Sequence, residues 1–193
     1  MASSEEKLAH DLEILQAMAA QMDDYLRSES LFWPMGYSDM PQLTLGGYWL
    51  RQHRLMALRH LLTSEQQAQL DEAVQTFNTA VSDWVVRTEK RAHTELEARI
   101  RQWGEYLHDL ADKKAGEVAS YPAQVEVRAI IAALLDQLQQ RPYTLDPKLA
   151  RAATSLDQGL RARLSGGEFV WPDEWQPAYP KAAYWFLYGR PHA

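Results

Sequence analysis

SEQQAQLDEAVQTFNTAVSDWVVRTEKRAHTELEARIRQWGEYLHDL, residues Ser64 to Leu110, decides the fold class. It contains no proline, and its apolar stripe recurs as Leu70, Val74, Phe77, Val81, Trp84, Thr88, Ala92, Leu96, Ile100, Trp103, Leu107 and Leu110. The steps average about 3.6 residues, the period of a straight α-helix, rather than the ~3.5 of a left-handed coiled coil. Ser64 and Gln67 have the spacing of a capping box at its start. Unbroken over about 64–110, the helix would measure about 70 Å at a rise of ~1.5 Å per residue. Opposite charges at i,i+4, such as Glu95–Arg99 and Glu97–Arg101, support an exposed middle; a break near Gly104 is the alternative. Leu96, Ile100, Trp103 and Leu107 still need cover. Later helices folding back over Trp103, in a monomer, would supply it; a second copy of the chain is the alternative.

Working outward, the same periodicity appears on both sides. Leu8, Leu12, Leu15, Ala19, Met22 and Leu26 share one face of a first helix over about 4–27, with Ser3 and Glu6 placed to cap it. Residues 29–44 hold Pro34, Gly36 and Pro41 among Phe32, Trp33 and Tyr37, and read as a loop with aromatic anchors. A second helix follows over about 45–62. Beyond a polar connection at 112–120, Pro122 suits the first position of a fourth helix, whose Val127, Ile130, Ile131, Leu134, Leu135 and Leu138 form a broad apolar face. Asp146 as N-cap and Pro147 at N1 open a fifth helix, with Gly166-Gly167 ending it.

The last segment has a different character. Eight of the chain's 20 aromatic residues and four of its nine prolines fall in residues 168–193. Rings at that density are costly to leave in water, and the prolines forbid one continuous helix. An extended strap across the helices is expected, with no β-strand anywhere. The whole reads as one all-α domain over 1–193: about five helices in a mostly antiparallel bundle.

Composition narrows the function classes. The absence of cysteine excludes disulfides, thiolate metal sites and a Cys nucleophile. Lys and Arg number 20 against 26 Asp and Glu, a net charge of −6, which disfavours general nucleic-acid binding. No cationic-then-apolar leader opens the sequence, and no uninterrupted apolar run reaches the ~18–20 residues of a spanning helix. A cytoplasmic protein with no membrane association is the expectation.

Three sets of residues offer chemistry. Glu105 and His108 form an E-x-x-H on a helix, the spacing used in di-iron carboxylate bundles, but those proteins need two such motifs and two further glutamates. A solvated helical face is the simpler reading, and no cofactor is expected. Arg51 and Arg54 fall within the apolar arc of the second helix, among Leu55, Leu58, Leu61 and Leu62. A buried guanidinium needs an anion. The first helix or the Asp39 loop can supply a carboxylate; the alternative is an anion pocket reached past Gly46-Gly47. Trp33, Trp171, Trp175 and Trp185 either cover the helices or form a patch that docks a protein. No phosphate loop, dinucleotide fingerprint or nucleophile elbow occurs. The sequence therefore points to a non-catalytic structural or protein-interaction module, with a helical enzyme or ligand-binding protein as the alternative.

Overall fold

The computed structural model describes residues 4–36, 39–112 and 117–192. Ser3 of the expected capping box and Tyr37 of the loop lie outside them, as does 113–116 of the polar connection. The described chain is 72% helical, with one small two-stranded sheet. It forms two compact units, Met1–Glu95 and Leu96–Ala193.

In the first unit, α1 (Ser4–Arg27) is followed by α2 (Leu45–Ala57), a 3₁₀ turn at Arg59–Leu61, α3 (Ser64–Asp83) and the first part of α4 (Val85–Ala111). The α1 stripe is buried throughout, with Leu15 and Leu26 wholly inside. It packs against α3 and α2. Tyr48 of α2 stacks on Phe77 of α3 with ring centroids 3.8 Å apart. The segment before α2 is tied by a bridge between Trp33 and Leu43. Thr44 then caps α2, its hydroxyl accepting from Gly47 N at 3.0 Å.

The expected single helix over 64–110 is two helices, and the break is not near Gly104. It falls at Trp84, whose φ of −124° and ψ of 37° leave the helical region. The indole is anchored at this point. Its Nε1 donates to Asp23 Oδ1 at 2.8 Å, and the guanidiniums of Arg27 and Arg87 lie 5.7 and 5.3 Å from the ring. Trp84 carbonyl still accepts from Thr88 N at 2.8 Å, so one residue closes α3 and opens α4. The cap of α3 is also one residue earlier than expected: Thr63 and Gln66, not Ser64 and Gln67, form the capping box. Among the described residues there are six α-helices instead of about five.

In the second unit the end of α4 is joined by α5 (Glu117–Leu138), α6 (Pro147–Arg161), β1 (Leu164–Phe169) and β2 (Tyr188–Pro191). Trp103 is buried within the chain, as expected, and its neighbours are Tyr106 and Tyr121, with centroids 5.3 and 6.4 Å away. Pro122 lies inside α5 rather than at its first position. Val118–Leu138 is long and apolar enough to cross a membrane. Within the fold, Tyr121, Val125, Ala129, Ile131, Leu134 and Leu138 of this helix are wholly buried. Asp146 caps α6 through Lys148 N at 2.8 Å, with Pro147 in the first turn, as expected.

The C-terminal segment departs from the expected extended strap. β1 and β2 pair antiparallel, and Gly166-Gly167 sit in β1 instead of ending the helix. Gly189 adopts φ +127°, and a Cβ there would stand 2.0 Å from the Ser165 carbonyl oxygen, so only glycine fits this register. Between the strands, Tyr179 and Phe186 are wholly buried, and Tyr121 Oη donates to the Phe186 carbonyl at 2.6 Å.

Candidate functional site

Arg51 and Arg54 converge on one carboxylate, Asp11 of α1. Arg51 Nε donates to Oδ1 at 2.6 Å; Arg54 Nε donates to Oδ2 at 2.7 Å and its Nη2 to Oδ1 at 2.8 Å. The side chains of Asp11 and Arg54 are 6% and 5% exposed, and that of Arg51 13%. Burial alone would raise the Asp11 carboxyl. The hydrogen bonds and charges of Arg54 and Arg51 outweigh it and hold the group below the ordinary carboxylate range.

The start of α2 is likewise met from within. Glu95, wholly buried on α4, accepts from Gly46 N at 2.8 Å, beside the Thr44 cap. A carboxylate at a helix N-terminus satisfies a free N–H and complements the dipole. The anions facing Arg51, Arg54 and the Gly46-Gly47 turn are thus the chain's own Asp11 and Glu95. Tyr25, close to Glu95, has its phenol raised by burial and by that charge, with Arg91 opposing.

Glu105 and His108 stand at the surface of α4. His108 Nε2 lies 3.5 Å from Asp112 Oδ2, a pair whose side chains are 74% and 54% exposed. Among the described residues no three His, Asp or Glu side chains gather closely enough to hold a metal ion.

The four tryptophans are half-buried and divided between the units. Trp33, in the first, donates from Nε1 to Gln21 Oε1 at 2.9 Å. In the second, Trp171 donates to the Pro122 carbonyl at 2.9 Å, and Trp175 meets Trp171 edge-on at 6.2 Å. Trp185 lies under the Arg161 guanidinium, 3.7 Å from its centroid. The indole N–H groups of Trp33 and Trp171 and the rings of Trp175 and Trp185 are engaged inside their own units.

Among the described residues the large apolar side chains that do face solvent are others: Met56 and Leu61, each 45% exposed, and Val86, 82% exposed. Met56 lines an open groove of about 480 Å³ with Val74, Gln75, Asn78, Ser82 and Asp83 of α3. Sequence reasoning placed Leu61 in a buried arc, because a periodic stripe does not reveal that the last turn after Ala57 changes to 3₁₀ geometry. The exposure of Met56 carries no signal in the periodicity. A second cleft, lined by Arg87, Lys90 and Arg91, opens where α4 passes the end of α1.

No family model, no curated protein and no solved structure matches this chain.

Proposed function

We propose that the chain is a non-catalytic helical module that acts by binding another protein, and that the groove along α3 is its docking face. The observation that carries this reading is the exposed Met56 beside Val74 in an open groove. Met56 is 45% exposed, so covering the rest of it contributes about 1 kcal/mol, under half of the ~1.5–3 kcal/mol of a fully exposed side chain, and such a solvent-facing Met favours a partner. Asp83 at one end of the groove is exposed and adds a negative charge. The fitting partner is an amphipathic helix, with apolar residues one turn apart on Met56 and Val74 and a Lys or Arg towards Asp83. The internal pairing of Asp11 with Arg51 and Arg54 supports the same reading, since those charges serve the frame. A mostly antiparallel packing of the helices, a monomeric state and a cytoplasmic location belong to this proposal.

Quantitative affinity capture from host extract, with wild type and a Met56→Glu, Asp83→Lys variant in parallel, tests it. Both residues are exposed, so the variant should melt with the wild type. The expected result is at least one near-stoichiometric partner, lost from the variant by about tenfold or more, the effect of ~1.4 kcal/mol or above. Identical captured sets would refute the groove as the docking face.

A further inference from the structure

Arg87 and Arg91, one turn apart on α4, both reach the end of α1. Arg87 Nη1 donates to the Leu26 and Arg27 carbonyls at 3.2 and 3.0 Å. Arg91 donates from Nη1 to the Tyr25 carbonyl at 2.9 Å and to the Ser30 carbonyl, and from Nη2 to the Ser28 carbonyl. A helix C-terminus presents unpaired carbonyls and a partial negative charge, which is the physical reason that cations gather here. The rings of Trp84 and Tyr25 hold the same two guanidiniums, 5.3 and 4.5 Å from their centroids. Both positions are therefore set by the fold itself, before any ligand arrives.

With Lys90, Thr94, Glu29 and Leu31, the two arginines line a half-open cleft of about 240 Å³. Two full positive charges exceed the roughly half charge that one helix terminus neutralises. Lys90 is exposed and has no ion-pair partner among the described residues. Against these three cations the cleft sets one carboxylate, Glu29. In a chain of net charge −6 this is a local reversal of sign, and a concave wall concentrates its field. A guanidinium has five N–H donors. The Nε–H groups of Arg87 and Arg91 have no described acceptor, so each arginine keeps donor capacity beyond its carbonyl bonds.

We infer that this cleft binds a small oxyanion-bearing solute, inorganic phosphate or a small polycarboxylate. Arg87 and Arg91 are its fixed donors, and Lys90 is the mobile cation that closes on it. The volume is below the ~300–1,000 Å³ of sites for drug-sized ligands, which limits the occupant to a small one. The site is separate from Arg51 and Arg54, which Asp11 already engages, and it does not depend on the groove along α3.

Thermal melting of the full chain in millimolar phosphate or citrate, against chloride at matched ionic strength, tests the inference. At ten times its dissociation constant, a ligand of the folded state should raise the melting temperature of a chain this size by about 3–6 °C. A shift with phosphate, with citrate or with both supports the site and identifies its class of anion. Lys90→Glu should melt with the wild type in chloride and lose the anion shift; Glu29→Gln should enlarge it. If neither anion acts beyond chloride, the inference fails. It fails equally if the shift survives Lys90→Glu, which would put the anion elsewhere.

Discussion

Replacing Asp11 by alanine tests whether the ion cluster between α1 and α2 is an element of the frame. The carboxylate receives three charge-assisted hydrogen bonds at 2.6–2.8 Å, and its removal leaves two guanidiniums in a poorly solvated place. Breaking a buried pair by deleting one partner costs about 3–5 kcal/mol, largely from the stranded charge. For a chain of this length that lowers the melting temperature by roughly 6–20 °C. Urea denaturation followed by circular dichroism gives the free energy; a thermal melt gives the shift. Replacing all three residues with Leu, Met and Met should recover most of the loss, since apolar replacement of a whole buried cluster is close to neutral. The pH dependence has a definite sign. Asp11 titrates lower in the fold than in the unfolded chain. Below about pH 4 the unfolded state therefore binds the extra proton, and stability falls with pH. This contribution is complete above the unfolded pKa and disappears as pH drops through the folded one. Asp11→Asn should flatten that acid limb. A loss under ~1 kcal/mol for Asp11→Ala, with an unchanged acid limb, would refute the reasoning, because exposed pairs behave in that way.

Other perturbations address the break and the sheet. Trp84→Phe keeps an aromatic ring but loses the donor to Asp23, and should lower stability by about 1.5–3 kcal/mol in urea, the range for a hydrogen bond to a charged group. Gly189→Ala puts a methyl against the Ser165 carbonyl and should abolish protection of the β1 and β2 amides from hydrogen exchange, while the helical signal persists.

Much of the helical frame is legible in the sequence because one apolar stripe specifies both the helix and its buried face. Leu8 to Leu26 on α1 and Asp146-Pro147 at the start of α6 are examples. Thr88 and Ala92, weak members of the long stripe, are wholly buried even so. Trp84 shows the limit of the method. It keeps the period of 64–110, and the break is accompanied by tertiary contacts, a bond to Asp23, 61 residues away in the chain, and the Arg27 guanidinium over the ring. The sheet was hidden for a related reason. In β1 the apolar residues stand only at the ends, Leu164 and Phe169, so no alternation marks a strand. Its pairing relies instead on glycine opposite glycine at Gly166 and Gly189. The cluster at Asp11 was half legible: two arginines within an apolar arc demand an anion, but periodicity cannot choose among the acidic residues of α1. The Arg87–Arg91 cleft left no local mark, because it depends on carbonyls at the end of another helix.

Site-specific photocrosslinking tests the proposed docking face most directly. A photoreactive side chain at Gln75, exposed in the groove, is compared with one at Arg151, exposed on α6. Irradiation in cells should give a discrete protein adduct from position 75, absent from position 151 and suppressed by Met56→Glu. Equal adducts at both positions, or none from position 75 under conditions in which the chain is folded and abundant, would contradict the groove as the surface through which this protein acts.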